Sequence, residues 1–247
     1  ATAIKVAVFL LVVLPVAQLG WQAFQTYKGI GDGLGVNPVE TVTHRTGDLT
    51  LYCLLATLAV TPLRRLLGQP GLIKLRRMLG LFAFFYGSLH FATYFCDQIF
   101  MQDEGLNLQA VVKDIVKRPY ITVGTLAYLL MVPLAITSTT AMIRRLGRRW
   151  QTLHRLVYVT ALLGILHWTW LVKADLRRPL AFGFLLLVLL GALVLCVTAG
   201  FLWSRAQPRS APTPAVERPG EPAVPAPTPA TPAIAASHER CSRARRR

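Results

Sequence analysis

Long apolar runs separated by short polar loops make up residues 1–204. About 20 residues of α-helix cross the hydrocarbon core of a bilayer, with a usual range of roughly 17 to 25. The second run is short, and extending it back to Thr46 requires Asp48 to lie at the membrane interface. The first run lacks a small-residue cleavage site, so we expect a retained helix and not a signal peptide. The pattern predicts six membrane-spanning helices, at residues 6–22, 49–63, 78–96, 119–143, 156–172 and 179–204.

The predicted fold is therefore all-α: a polytopic membrane protein whose residues 1–204 form a six-helix transmembrane bundle. Residues 205–247 differ in character, because they contain nine of the 16 prolines and end in Arg-Ala-Arg-Arg-Arg. Such a segment buries too little apolar surface to offset the entropy lost on ordering. We predict that residues 205–247 form a disordered cytoplasmic tail.

Composition and charge narrow the class of protein. Hydrophobic residues make up 53% of the chain and charged residues 15%, whereas roughly a quarter of the residues in a soluble domain are charged. The chain has 27 Lys and Arg against 11 Asp and Glu, a formal net charge of +16. These basic residues stand in short clusters between apolar runs and do not form one solvated face. The composition excludes an ordinary soluble enzyme and argues against nucleic-acid binding.

The basic clusters predict the orientation in the membrane, because short cytoplasmic loops are enriched in Lys and Arg. The loops after the second and fourth spans contain no acidic residue. We expect both loops, and with them both termini, on the cytoplasmic side. Their basic residues are Arg64, Arg65, Lys74, Arg76 and Arg77 in the first loop, and Arg144, Arg145, Arg148 and Arg149 in the second.

Histidines are the candidate functional residues within the apolar region. His90 belongs to the third span, His154 and His167 to the fifth, and His44 lies at the outer edge of the second. Ionisable side chains in a bilayer are costly and mark functional sites, although a hydrogen-bonded packing role is the alternative for each one. Three histidines without an intramembrane carboxylate favour haem, because neutral imidazole is a good axial ligand. Zinc fits less well, since it needs four ligands at one depth.

Two of these histidines are expected to lie at similar depths in the membrane. With a rise of about 1.5 Å per residue from the cytoplasmic arginines, His154 lies about 8 Å deep, His90 about 20 Å and His167 about 27 Å. We therefore predict one haem between spans 3 and 5, bridged by His90 and His167.

A second, inner haem is a weaker prediction, with His154 as its candidate ligand. The residue fourteen positions before His90 is Arg76, so the third span offers no second histidine at that level. On an ideal helix His154 and His167 also point about 140° apart. Both can face the third span only if the fifth span is broken, and Gly164 is the predicted site of the break.

Three stretches around these residues resemble one known family. They are RRMLGLFAFFYGSLHFATY at residues 76–94, KRPYITVGTLAYLLMVPLAITST at 117–139 and RRLGRRWQTLHRLVYVTALLGILHWTWLVK at 144–173. All three closely resemble the MsrQ family, also called YedZ, of the ferric reductase-like transmembrane superfamily. The similarity extends over about residues 6–203 and leaves out the proline-rich tail.

The resemblance implies a haem-binding electron-transfer subunit of the bacterial inner membrane. It implies b-type haem, an associated FMN, electrons from the quinone pool and delivery to MsrP, a periplasmic molybdopterin-containing subunit that reduces methionine sulfoxide in oxidised proteins. His90, His154 and His167 match the family's haem histidines, and His44 matches a position where the family often has histidine. No residue is assigned to substrate chemistry, because the chain has no GxSxG or GxGxxG motif.

Four arginines at the predicted inner surface are candidates to hold anionic parts of a cofactor. Guanidinium groups pair well with haem propionates and with a flavin phosphate. The alternative is that they only set the topology. The four are Arg76, Arg77, Arg148 and Arg149.

Two other functions stay open at this point. A stand-alone transmembrane reductase of ferric iron or another acceptor would need a cytoplasmic nicotinamide- and flavin-binding domain, and a 43-residue proline-rich tail is too short to form one. A haem-free transporter or structural membrane protein would show no haem spectrum.

Overall fold

The computed structural model of the chain describes residues 2–31, 33–100, 108–172 and 175–206. In these ranges all regular secondary structure is helical. A 3₁₀ turn, Pro70–Leu72, precedes the third helix. The α-helices are α1 (Thr2–Tyr27), α2 (Pro38–Leu66), α3 (Ile73–Phe100), α4 (Leu108–Lys117), α5 (Pro119–Ile136), α6 (Thr140–Leu146), α7 (Arg148–Leu153), α8 (Leu156–Leu171) and α9 (Arg177–Ala206).

The all-α membrane fold is confirmed for the described residues. Five helices, α1, α2, α3, α5 and α9, are long and apolar enough to cross a membrane. The remaining predicted span, the fifth at residues 156–172, coincides with α8, which has 16 residues and is slightly shorter than the usual range. The predicted disordered tail lies outside the described residues, except that Arg205 and Ala206 still belong to α9.

Helix α2 is much longer than the predicted span 49–63, because its polar first half is also helical. Asn37 caps the helix by accepting a hydrogen bond from the backbone N–H of Glu40, and Pro38 occupies the first turn, where its missing N–H costs nothing. Within the helix the hydroxyls of Thr46 and Thr50 donate to carbonyls one turn earlier. This back-bonding lets polar residues continue the helix at the bilayer edge.

The predicted fourth span, 119–143, is wrong in its extent. Helix α5 ends at Ile136, where the hydroxyls of Thr137 and Ser138 donate to carbonyls of the preceding turn. Thr139 then caps α6 by accepting from the N–H of Met142. The run of hydroxyl residues therefore separates two helices.

The core is formed by two helical hairpins that pack on each other. Helix α2 packs along α3, α5 packs along α8, and α3 meets α5 between the two hairpins. Residues with less than a tenth of their surface exposed come from all four helices, including Leu58, Tyr86, Met131 and Ala161. The candidate histidines lie on this four-helix core or at its edge.

Helices α1 and α9 are peripheral, and most of their surface is apolar and exposed. A hydrogen bond from the Tyr86 hydroxyl to the carbonyl of Val12 ties α1 to α3. On α9, Leu186 is buried against the core while neighbours such as Leu187 are exposed. Such surfaces suit contact with lipid, which is as apolar as the side chains themselves.

Candidate functional site

His90 on α3 and His167 on α8 face each other across the two hairpins. The centres of their imidazole rings are 6.1 Å apart, and the ring planes meet at 78°. Each ring is partly buried. The structure therefore brings together the two histidines whose estimated depths in the membrane predicted that they form a pair.

A backbone carbonyl fixes the tautomer of each ring. Nδ1 of His90 lies 2.8 Å from the carbonyl oxygen of Thr43, and Nδ1 of His167 lies 2.6 Å from that of Tyr120. A carbonyl oxygen only accepts hydrogen bonds, so each Nδ1 carries the proton and donates it. The lone pair of each neutral ring is then on Nε2, as in histidines that bind a metal through Nε2.

Two glycines allow this close approach of ring to helix. A Cβ atom added at Gly124 would lie 2.6 Å from Nδ1 of His167, and one added at Gly47 would lie 3.1 Å from Nδ1 of His90. The first distance is a clash and the second is tight. Each ring is thus seated against a helix surface from which the side chain is missing.

The paired histidines fit a haem with two axial imidazoles. A metal bond to imidazole nitrogen is about 2 Å long, and the ring adds about 1 Å on each side, so two imidazoles on opposite sides of one metal have centres about 6 Å apart. In the part of the chain that the structure describes, no group of three or more His, Cys, Asp or Glu is placed to hold a metal ion. Haem needs only two protein ligands, so this donor set suits it and does not suit zinc.

His154 occupies a different place, at the end of α7. Its ring stacks on Trp150 with centres 4.0 Å apart, and its Nε2 lies 3.1 Å from the hydroxyl oxygen of Thr137. That hydroxyl donates to the carbonyl of Pro133, so Nε2 of His154 donates to it. In this tautomer the lone pair of His154 is on Nδ1.

The prediction of a helix break at Gly164 is wrong. Helix α8 passes through Gly164 without interruption, and the chain breaks at His154 and Arg155, between α7 and α8. A Cβ atom at Gly164 would lie 3.2 Å from a methyl carbon of Leu51, so this glycine lets α8 pack closely on α2. His154 and His167 are therefore not on one continuous helix.

A cavity of about 460 Å³ adjoins His154. Arg76 and Arg77, from the start of α3, line it together with Trp150 and Arg155. The remaining two candidate arginines, Arg148 and Arg149, are exposed on α7 and do not line it. The sequence analysis did not identify Trp150 and Arg155 as residues of this site. Their positions, four residues before and one residue after His154, could have indicated that they lie beside it.

His44 lies on the exposed side of α2. Its Nε2 is 3.7 Å from a carboxylate oxygen of Glu40, one turn earlier, and 55% of its side chain is exposed. Its neighbour Thr43 provides the carbonyl that holds His90. Thr43 and Tyr120 contribute through the backbone, which leaves no side-chain signal in the sequence.

Comparisons with known proteins show the family to which the chain belongs. Residues 46–165, which include most of α2 and all of α3 and α5, match the family described as ferric reductase like transmembrane component. The helical membrane fold and this match indicate a transmembrane protein of the ferric reductase-like class.

Individual relatives identify the family within that class. A protein from Bordetella pertussis (strain Tohama I) is 51% identical over 190 residues, which cover 76% of this chain and 87% of the relative. One from Xanthomonas campestris pv. campestris (strain 8004) is 48% identical over 222 residues, 87% of this chain and 96% of the relative. Both are named protein-methionine-sulfoxide reductase heme-binding subunit MsrQ. The chain belongs to the MsrQ family. No solved structure matches it.

Proposed function

We propose that this protein is a membrane electron-transfer subunit of a methionine sulfoxide reductase system and that it carries electrons through a b-type haem held by His90 and His167. The observation that carries the proposal is the opposed pair of imidazoles, each with Nδ1 bonded to a helix carbonyl. The names of the relatives, which are heme-binding subunits, support the same function.

The residues of the site would bind the haem and limit its exposure to water. When bound, haem supplies a reversible one-electron carrier. His90 and His167 would provide the nitrogens that bind the iron, and the hydrogen bonds from their Nδ1–H groups to the carbonyls of Thr43 and Tyr120 would make those nitrogens better donors. The apolar helices of the core exclude water from the site, which influences its reduction potential.

The proposed acceptor is a periplasmic catalytic subunit, MsrP in the family. Reduction of a sulfoxide to a thioether consumes two electrons and two protons and releases water, so two successive one-electron transfers serve one turnover. We assign the protein no substrate chemistry, because its sequence contains no GxSxG or GxGxxG motif. This division of labour agrees with the word "subunit" in the names of its relatives.

A quinol is the proposed electron donor, and a second cavity supports this assignment. The cavity has a volume of about 540 Å³ and is lined mostly by apolar residues of α1, α2 and α3, including Val42, Leu89 and Ala92. Thr93 also lines it, and the hydroxyl of Thr93 donates to the carbonyl of His90. A lipophilic donor in this cavity would contact Thr93, which is hydrogen-bonded to the backbone of the haem ligand His90.

The inner cavity beside His154 is the proposed place for a further cofactor, either a second haem or FMN. Trp150 and His154 form a stacked aromatic wall, and Arg76 and Arg77 provide positive charge on the opposite helix. These groups suit a flat cofactor that carries propionates or a phosphate. An inner haem would use His154, whereas FMN would use the arginines and the aromatic wall alone.

We propose a location in the bacterial inner membrane, with both termini in the cytoplasm. The arginines of both basic loops lie at one end of the bundle, where Arg77 donates a hydrogen bond to the hydroxyl of Thr140. His90 and His167 lie near the opposite ends of α3 and α8. By the positive-inside rule the basic end faces the cytoplasm.

A spectrum of the purified full-length protein tests the proposal. We expect a reduced-minus-oxidised difference spectrum typical of b-type haem and an electron paramagnetic resonance signal of low-spin iron with two imidazole ligands. Reconstituted with quinol and a purified MsrP-type subunit, the protein should support sulfoxide reduction. Absence of haem even after haem supplementation would leave a transporter or structural role; reduction of ferric iron without a partner would favour a stand-alone reductase.

A further inference from the structure

The seats of the two haem histidines recur along the chain with one constant spacing. In each seat, a residue contributes a carbonyl, a glycine follows four positions later, and the histidine follows 47 positions after the carbonyl. The first seat is Thr43, Gly47 and His90. Every member of the second seat, Tyr120, Gly124 and His167, lies 77 positions after its counterpart.

The sequence around the histidines repeats at the same spacing. The segment GSLHF at residues 87–91 aligns with GILHW at 164–168, which preserves glycine, leucine, histidine and an aromatic residue. The glycines of the seats align as GDL at 47–49 and GTL at 124–126. These identities are few, and they include the two histidines and the two glycines against which their rings are placed.

The cavity beside His154 has the same internal correspondence. Its lining comes from both hairpins, α2 with α3 and α5 with α8, and from α7. Five pairs of lining residues are separated by 77 positions: Leu54 and Met131, Thr57 and Leu134, Ile73 and Trp150, Arg77 and His154, Gly80 and Val157. Residues 77 positions apart, from the first hairpin on one side and from α5, α7 and α8 on the other, thus line one space.

We propose that Gly47 and Gly124 are equivalent positioning residues for the two haem ligands, one in each of two hairpins that present a histidine in the same way. This inference rests on the proposed haem function.

The role of each glycine follows from the space that it leaves. The histidine ring reaches the helix carbonyl only where no Cβ atom stands in its way, and that hydrogen bond sets the tautomer and the orientation of the ring. An alanine at Gly124 would collide with the ring of His167 at 2.6 Å. An alanine at Gly47 would press on the ring of His90 at 3.1 Å, which a small shift relieves. The two substitutions should act in the same way, with the larger effect at Gly124.

The correspondence is complete at the histidine pair and incomplete in the cavity. There Arg77 of α3 corresponds to His154, which follows α7. The two halves therefore offer unlike groups to whatever occupies the cavity. The proposal of equivalence is confined to the haem seats for this reason.

The test compares Gly47→Ala and Gly124→Ala with Gly20→Ala and Gly191→Ala in the full-length haem-loaded protein. The two control glycines lie inside α1 and α9, where an added Cβ atom meets nothing within 4 Å. The readouts are the g values of the low-spin haem signal, its midpoint potential, and the rate at which haem passes to an apo-haemoprotein acceptor. We expect both seat variants to shift the g values and the potential, and haem transfer to be about 10-fold faster for Gly124→Ala, in line with the loss of the carbonyl that accepts a hydrogen bond from the haem ligand.

Each outcome decides the matter. If either seat variant matches the controls, the equivalence of the two seats is wrong. If Gly124→Ala fails to fold, as judged by helical content, the milder Gly47→Ala still tests the seat on α2. Wild-type protein without haem would refute the proposed function, whereas wild-type haem with unshifted seat variants would refute only this inference.

Discussion

His90 and His167 are 77 positions apart in the sequence, and their imidazole rings lie 6.1 Å apart in the fold. Neither ring is held by its own helix. His90 is bonded to α2 and His167 to α5, so four helices determine the separation of the two rings. Loss of either ring should therefore affect the same bound group.

We expect His90→Ala and His167→Ala each to abolish the same low-spin haem. A single remaining imidazole leaves one axial position without a protein ligand, which weakens binding and changes the spin state. The measurement is haem per chain together with the electron paramagnetic resonance spectrum. His44→Ala is the matched control, because His44 is exposed and pairs with Glu40. Full retention of the low-spin signal in His90→Ala would refute the pairing.

His154→Ala should leave the His90–His167 haem intact. It should remove a separate haem or lower the total content, because His154 lines a different cavity and stacks on Trp150. Haem content and extracted flavin, measured on the same sample, distinguish a second haem from FMN. Loss of the low-spin haem with two imidazole ligands in this variant would show that His154 supports the other site.

Arg76→His should create a second site with two imidazoles. Arg76 lies fourteen positions before His90, which places it on nearly the same face of the continuous helix α3, and it lines the cavity opposite His154. We expect an additional low-spin haem in the spectrum. Arg148→His, on the exposed surface of α7, is the control and should add none. Equal haem content in both variants would contradict the prediction.

Ala92→Phe should slow reduction of the haem by quinol and leave the haem itself unchanged. The larger side chain fills part of the cavity formed by α1, α2 and α3. We expect at least a severalfold lower rate in stopped-flow reduction by a quinol, with a normal spectrum and a normal rate with dithionite. Ala199→Phe on the exposed surface of α9 is the matched control. A quinol rate equal to that of the control would place the donor elsewhere.

Tyr86→Phe should destabilise the protein modestly. Tyr86 is fully buried, and its hydroxyl donates to the carbonyl of Val12, so the variant leaves one carbonyl of α1 without this partner. A hydrogen bond of this kind contributes about 1 kcal/mol in proteins and somewhat less between membrane helices. Thermal or denaturant unfolding in detergent measures the change, and Phe85→Leu, at an exposed neighbouring position, is the control. Unchanged stability of Tyr86→Phe would show that this hydrogen bond contributes nothing.

The sequence predicted the positions of the long apolar helices well, because hydropathy reports directly on the cost of placing residues in lipid; of the six predicted spans, five are long and apolar enough to cross a membrane in the described structure. It was less accurate where polar residues continue or end a helix. In the polar first half of α2, threonine hydroxyls are satisfied by carbonyls of the same helix, and the same kind of hydrogen bond occurs at Thr137 and Ser138, where α5 ends. A hydropathy scan does not distinguish these two cases, because it scores a threonine in the same way whether the helix continues past it or ends there.

By itself the sequence determined that this is an apolar helical membrane protein, which loops concentrate the basic residues, and that His90, His154 and His167 are the candidate ligands, because charge and hydropathy act residue by residue. Tertiary structure decided which of them meet. The two carbonyls and two glycines that seat the paired rings act through backbone atoms and missing atoms. Such groups acquire a function only when another helix packs against them.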